Sequence, residues 1–399
     1  MNILFLDQFS DLGGAQRCLL DLLPAVRERG WRAFLAAPGS GPLLTRAAEA
    51  GASVEPFSGA AYSCGRKTAR DALRFLLDLP HLSRWISRRI EELGIDLVYV
   101  NGPRLVPAAA LATGRRVPLV FHCHSYLGRW YASMPVGLGL RRARATVVAC
   151  CRFVTGPLAR WAPEERLHIV YNGVSDTAAG GAERRADGRR VGGWRVGMVG
   201  RIAPEKGQRE FLEAARLLAG EVPDCRFVLC GKELFGDDAS RRYANRMRRL
   251  AEGIPVEFTG WIEDTAAVYA SLDLLVVPSG PEEATTRVIP EAFAAGLPVI
   301  AYRAGGIPEI VTEGETGFLV EPAKPEALAR RIRELLTDAP DTLRRAGVGA
   351  RREFERRFTL ACYRERMLAL IGRAAGILEP AEQRAEQQTG RHGDAAGRG

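Results

Sequence analysis

Two cations and two carboxylates in the second half of the chain have the types and spacing of a ligand-gripping set. Arg201 and Lys206 stand five residues apart in Gly200-Arg201-Ile202-Ala203-Pro204-Glu205-Lys206-Gly207, between a strand-like run and a helical one. An arginine and a lysine on such a loop suit a diphosphate, the guanidinium bonding as a fork and the ammonium as a point charge. Were that diphosphate a leaving group, the same pair would neutralise the charge growing on it. Two solvated cations are the plainer alternative, but the place after a strand and the flanking glycines favour a ligand. Glu283 and Glu291 follow another strand-like run, in Pro278-Ser279-Gly280-Pro281-Glu282-Glu283 and Pro290-Glu291-Ala292-Phe293. Carboxylates accept from vicinal hydroxyls, so one could hold a sugar and the other a ribose. Taken alone, Glu291 could be an ordinary acid in a first helical turn.

Near the amino terminus, Ser10-Asp11-Leu12-Gly13-Gly14-Ala15-Gln16 joins the first strand-like run to the first helical one. Glycine lets backbone approach a ligand closely there, and a helix start offers N–H groups to an anion. The loop is not a GxGxxG fingerprint and lacks the acidic partner such a site needs, so a tight turn is the alternative.

These segments sit where one architecture would put them. Apolar runs at 3–6, 32–37, 97–100, 118–122 and 146–149 alternate with helical patterns at 15–28 and 70–93. Alternation restarts after residue 193, with strands at 195–199, 226–230, 256–258, 274–277 and 298–301 and helices at 208–218, 240–252, 266–271, 290–295 and 325–337. Such alternation predicts parallel sheets with crossover helices and ligands at the carboxyl ends of the strands. The fold class expected is α/β, two Rossmann-like doubly wound domains facing across a cleft. Residues 1–175 form the N-terminal domain, 176–193 a Gly/Ala/Arg-rich linker and 194–352 the C-terminal domain. A final amphipathic helix over 353–371, within a segment 353–378, is expected to cross back to the N-terminal domain, and 379–399 to be a disordered polar tail.

Bulk properties agree. A chain of 399 residues exceeds what one core usually supports. Lys plus Arg number 56 against 47 Asp plus Glu, and the resulting +9 favours anionic partners without choosing among them. Residues 1–7 are apolar without a basic leader and read as a buried first strand; no run of 18 apolar residues predicts a membrane-spanning helix. Cys18, Cys64, Cys123, Cys150, Cys151, Cys225, Cys230 and Cys362 lack CxxC spacing and read as reduced core thiols of a cytosolic protein.

Further segments complete a pattern: Val120-Phe121-His122-Cys123-His124, Val170-Tyr171-Asn172-Gly173-Val174, Phe258-Thr259-Gly260-Trp261, Asp273 to Ser279, Gly305-Gly306-Ile307-Pro308-Glu309-Ile310 and Thr316-Gly317-Phe318-Leu319-Val320. In order and spacing, with the glycine loop, the Arg/Lys loop and the Glu-x7-Glu pair, nearly the whole chain resembles the retaining glycosyltransferases of glycosyltransferase family 4, which have the GT-B fold. The resemblance implies that the C-terminal domain holds a nucleotide-diphosphate sugar and the N-terminal domain the acceptor. It implies that Arg201 and Lys206 grip the donor diphosphate and that Glu291 binds the ribose. Glu283 is placed near the sugar hydroxyls and the β-face of the anomeric carbon. His124 corresponds to the histidine at the sugar end of the cleft, and Gly14 to the loop closing over phosphates and acceptor. His122 reads as a neighbour or a core histidine.

One segment departs from the family pattern. Ala284-Thr285-Thr286-Arg287 stands where the family usually has Gly-Phe-Gly or Pro-Phe-Gly, offering backbone N–H groups to the hexose. Threonine restricts the backbone where glycine is free, so the sugar contacts transfer less directly than the diphosphate contacts. The family mechanism implied is front-face attack, with the leaving diphosphate taking the acceptor's proton. No metal and no separate cofactor are expected.

On the acceptor side, 73–90 carries Arg74, Arg84, Arg88 and Arg89 beside Trp85, and 126–144 mixes Trp130 and Tyr131 with Arg129, Arg141, Arg142 and Arg144. Such surfaces suit peripheral contact with anionic lipid on the inner face of a cytoplasmic membrane; solvated helix faces with snorkelling arginines are the alternative. The membrane reading makes the acceptor a glycan or lipid-linked sugar in envelope or exopolysaccharide assembly. Rival readings are a sugar-nucleotide epimerase of the same fold, whose acid-base carboxylates and histidine are not in their expected setting, and a non-catalytic nucleotide-sugar-binding module. A nucleic-acid partner is not expected, since no matching motif accompanies the charge.

Overall fold

The computed structural model describes residues 1–58, 69–177, 193–222, 224–233, 238–262 and 264–377. The first domain runs β1 (Asn2–Leu6), α1 (Gly14–Glu28), β2 (Arg32–Ala36), α2 (Pro42–Glu49), β3 (Ser53–Val54), α3 (Ala69–Glu92), β4 (Leu97–Val100), α4 (Val106–Thr113), β5 (Leu119–Cys123), α5 (Trp130–Ala143), β6 (Thr146–Ala149) and β7 (Leu167–Ile169). The second runs β8 (Trp194–Val199), α6 (Gln208–Leu218), β9 (Cys225–Cys230), α7 (Asp238–Leu250), β10 (Val256–Gly260), α8 (Thr265–Ala270), β11 (Leu274–Val277), α9 (Val288–Ala294), β12 (Val299–Tyr302), β13 (Gly317–Val320) and α10 (Pro325–Thr337).

Each domain is built on a parallel sheet. The orders are β3-β2-β1-β4-β5-β6-β7 and β10-β9-β8-β11-β12-β13. Helices cover both faces, which is why β4 (Leu-Val-Tyr-Val) and β11 (Leu-Leu-Val-Val) are buried at every position and read as unbroken apolar runs. Both orders reverse direction once, between β1 and β4 and between β8 and β11. Loops leaving the two strands at such a point diverge and open a crevice. Asp7 follows β1, Asn101 follows β4, Gly200 follows β8 and Pro278 follows β11. Thus each sheet presents its crevice with the loops that carry the chemistry.

The expected single helix over 353–371 is corrected by the structure. The chain forms α11 (Pro340–Glu353), one π turn (Phe354–Phe358) and α12 (Leu360–Ala374). Phe354 and Phe358 are both buried in the second domain's core, which holds the bend. Thr359 is extended there and its Oγ1 accepts from the Cys362 N–H at 3.2 Å, starting a new helix. The Phe358 carbonyl accepts the Val174 N–H at 2.9 Å, tying the bend to the segment that leaves β7. Beyond it, α12 lays Tyr363, Met367, Leu370 and Ile371 into the first domain's core with the apolar face of α1. Helix α2 and the short strand β3 are further elements that the apolar alternation does not reveal.

The expected linker lies mostly outside the described residues, and the expected tail and Cys64 lie wholly outside them. The seven described cysteines are free, six of them buried. Among the described residues no helix is long and apolar enough to cross a membrane.

Candidate functional site

The two crevices face each other and merge into a cleft of about 410 Å³. Gly14, His124, Arg201, Lys206, Glu283 and Glu291, the residues singled out by sequence, all line it.

The C-terminal wall begins at the loop after β8. Gln208 shapes that loop, its Oε1 accepting from the Ala203 N–H at 3.2 Å and its Nε2 donating to the Arg201 carbonyl at 2.8 Å. Gly207 has φ 82°, and a Cβ there would lie 1.9 Å from the Pro278 carbonyl oxygen, so no side chain fits where the loop crosses the one after β11. This crossing brings Lys206 to Glu283: Nζ donates to Oε2 at 2.6 Å. Both side chains are largely covered, 23% and 12% exposed, so the pair is only weakly screened by solvent. Arg201, partly covered, pairs with Glu205 of the same loop. The Glu283 backbone is fixed from behind, its carbonyl accepting from the Gly306 N–H at 3.0 Å. Gly305 has φ 55°, and a Cβ there would sit 1.8 Å from the same carbonyl.

Glu291 lies in the first turn of α9, where a carboxylate also suits the helix dipole. The Tyr269 hydroxyl donates to its Oε2 at 2.8 Å and the Arg287 Nε to its Oε1 at 3.4 Å. Both oxygens are therefore oriented, and Tyr269, buried beside that carboxylate, has its pKa pushed well up and stays a neutral donor.

The N-terminal wall is a chain of hydrogen bonds. Asp7, fully buried, accepts from the Gln16 Nε2 at 2.8 Å, the Phe9 N–H at 2.9 Å and the Asn101 Nδ2 at 2.7 Å. Asn101 Oδ1 meets His124 Nε2 at 2.9 Å. A carboxylate only accepts, so it turns the Asn101 amide nitrogen towards itself and the amide oxygen towards His124. His124 must then donate through Nε2, which leaves Nδ1 as an acceptor. Burial, with the Arg287 charge, pushes the His124 pKa down to about 3, so the ring is neutral. Burial raises Asp7 to about 6 against the opposing pull of its hydrogen bonds. His122 is a fully buried core residue with Nδ1 2.5 Å from the Tyr99 hydroxyl, its ring centroid 3.8 Å from that of His124. Gln16 joins this wall to the glycine loop, its Oε1 accepting from the Gly13 N–H at 3.1 Å.

The segment Ala284 to Arg287 packs against the first domain. Ala284 joins that domain's core, the Thr285 hydroxyl donates to the Cys150 carbonyl at 3.4 Å, and Arg287 reaches Asp21 at 2.8 Å. A second contact across the domains comes from Glu309, whose carboxylate accepts from the Arg152 and Phe153 N–H groups, each at 2.7 Å. Sequence reasoning missed Asp7, Asn101, Tyr269 and Arg287 as parts of the site. Asp7 and Asn101 carried a usable signal, each being the first polar residue after an apolar strand.

Two facing Rossmann-like domains whose switch-point loops share one cleft define the GT-B architecture. Residues 12–178 match the family model described as Glycosyltransferase Family 4, and residues 193–338 match that described as Glycosyl transferases group 1. The chain belongs to the family 4 glycosyltransferases of GT-B fold. It is 36% identical over 163 residues to the sulfoquinovosyl transferase of Arabidopsis thaliana, covering 40% of this chain and 29% of that protein. It is 36% identical over 157 residues to the D-inositol 3-phosphate glycosyltransferase of Corynebacterium glutamicum, covering 37% and 36%. The chain thus spans well under half the length of these curated relatives. Among solved structures, HepE of Anabaena in complex with UDP superposes with a TM-score of 0.75 at 27% identity, covering 92% of this chain and 99% of that one. HepE with UDP-glucose gives 0.75 at 26%, covering 92% and 98%.

Proposed function

We propose that the chain is a retaining hexosyltransferase that takes a sugar from a nucleotide-diphosphate donor and passes it to a glycan or lipid-linked acceptor. The observation that carries this reading is the junction of Lys206 with Glu283 at 2.6 Å, in a cleft also lined by Arg201 and Glu291. The pair puts a cation for the departing diphosphate beside a carboxylate for the transferred sugar's hydroxyls. UDP and UDP-glucose bound to HepE support a uridine diphosphate sugar as the donor to test first.

Arg201 and Lys206 stabilise the diphosphate as the glycosidic bond breaks, in a partly buried setting that strengthens the interaction. Glu291, oriented by Tyr269, receives the ribose hydroxyls. Gly14, at the start of α1, lets backbone N–H groups approach the phosphates. His124 accepts a hydroxyl hydrogen bond through Nδ1, its neutral ring being unsuited to donating a proton from that atom. The acceptor hydroxyl attacks from the face the diphosphate leaves, and the diphosphate takes its proton. This scheme needs oriented cations and no metal or further cofactor.

Lipid contact follows from α5. Trp130, Tyr131, Met134 and Leu138 are exposed, 68% for Trp130 and 54% for Leu138, on a helix that starts shortly after cleft-lining His124 and Ser125. Exposed Arg129, Arg141, Arg142 and Arg144 flank them. Apolar residues ringed by cations match an anionic bilayer surface and place envelope or exopolysaccharide precursors within reach of the cleft. An epimerase of the same fold or a non-catalytic binding module is less favoured, since the family matches lie with transferases.

The test is a panel of nucleotide sugars incubated with and without lipid extract, scoring nucleotide release and a glycosylated product. Transfer with retained anomeric configuration is the expected result. Interconversion of free donors would replace the reading with an epimerase, and tight binding without turnover would replace it with a binding module.

A further inference from the structure

Arg287 belongs to the second domain, at the N-cap of α9, yet most of its partners belong elsewhere. Nη1 donates to Asp21 Oδ2 at 2.8 Å and to Cys18 Sγ at 3.3 Å, both on α1, and to the Gly173 carbonyl at 3.3 Å. Nε faces Glu291 Oε1 at 3.4 Å. Its stem passes the glycine loop, Cδ lying 3.9 Å from where a Cβ on Gly14 would stand. Arg287 is 13% exposed, Glu291 13% and Asp21 24%, so the cation and both carboxylates are largely withdrawn from water. Burying a charge is tolerated when its partners are in place and costly when one is removed.

We propose that Arg287 is a positioning residue that couples the Glu291 carboxylate to closure of the first domain, so the donor site is complete only when α1 docks on it; this rests on reading the cleft as a nucleotide-sugar site. One guanidinium serves both carboxylates because its N–H groups diverge in a rigid plane: Nε faces the ligand-binding side and Nη1 the opposite domain. An ammonium has no such fork. When α1 docks, Asp21 holds Arg287, Arg287 holds Glu291, and the Gly14 loop at the start of the same helix comes to rest over the cleft. The segment that departs from the family pattern thereby acquires a role, since Ala284 and Thr285 are sealed against the first domain beside it.

Asp21→Asn separates the two halves of the coupling, because it removes the interdomain ion pair and leaves Arg287 beside Glu291. The expected result is UDP affinity lowered about three-fold, because closure completes the donor site, with kcat for transfer lowered about ten-fold. Arg287→Ala should weaken both, and the double variant should be no slower than Arg287→Ala alone. Arg287→Lys, which keeps the charge, should resemble the alanine variant in kcat. Should Arg287→Ala fold poorly, Asp21→Asn and Arg287→Lys carry the same comparison. Small-angle scattering with UDP reads closure without catalysis: the parent compact, Asp21→Asn more extended. Unchanged kcat and scattering in Asp21→Asn, or additive losses in the double variant, would overturn the coupling. Failure of the parent itself to turn over any nucleotide sugar would instead remove the functional reading, and the scattering comparison would still decide whether the clasp closes the domains.

Discussion

Lys206 and Glu283 meet at 2.6 Å where the loop after β8 crosses the loop after β11. Their contact depends on Gly207, whose missing side chain lets Pro278 pass. A cation that would receive a departing phosphate therefore starts in register with the carboxylate that would hold the sugar.

Lys206→Ala removes the cation and leaves Glu283 without its partner. Transfer should fall about a thousand-fold in kcat, the scale of losing one preorganised charge-stabilising group. Circular dichroism and melting should show a folded protein. Steady-state rates within two- to three-fold of the parent would contradict the diphosphate role.

Asp7→Asn should reverse the polarity of the N-terminal wall. An amide at position 7 can donate to Asn101, which then turns its own NH2 towards His124 and drives the ring to its Nδ1–H tautomer. Ring nitrogen shifts in 15N-histidine NMR would register the change. Transfer should drop about ten-fold if Nδ1 must accept a substrate hydroxyl. An unaltered tautomer would show that the chain does not set it.

The pH dependence of stability has a definite sign for each of two groups. His124 has a folded pKa near 3 against an ordinary value of 6.5, so its contribution is full above pH 6.5 and lost as pH falls towards 3. Relative to His124→Gln, the parent should lose up to about 3 kcal/mol between pH 7 and pH 4. Asp7 acts oppositely: its folded pKa of about 6 against 3.8 gives stability present at pH 4 and lost as pH rises through 6. Urea melts of parent, His124→Gln and Asp7→Asn across that window would resolve the two, and parallel curves for parent and His124→Gln would contradict the buried neutral ring.

Trp130→Ser with Leu138→Ser should cut flotation with anionic vesicles about ten-fold and leave turnover on a water-soluble acceptor unchanged. Binding of the parent should weaken at high salt, since exposed arginines supply its electrostatic part. Equal flotation of parent and variant would show that α5 does not dock on lipid.

Much of the fold was legible because its strands are buried on both faces and so appear as short, unbroken apolar runs such as Leu274 to Val277. The cleft residues were legible because they follow those strands. Asp7 and Asn101 follow their strands as well, but their pairing was not legible, since what unites them is that β1 pairs with β4, a relation between segments 94 residues apart. Arg287 read as a departure from a sugar-binding pattern because Asp21, its partner, is in the other domain. The bend at Phe354 to Thr359 escaped periodicity because the buried Phe354 and Phe358 stand four residues apart, a spacing an unbroken helix would also show.

The most direct test is a structure with an intact nucleotide sugar or its diphosphate product bound. Lys206 Nζ and the Arg201 guanidinium should lie within about 3.2 Å of phosphate oxygens, with Glu291 on the ribose and Glu283 on the sugar hydroxyls. A ligand seated elsewhere, with Arg201 and Lys206 turned to solvent and both glutamates away from it, would contradict the account.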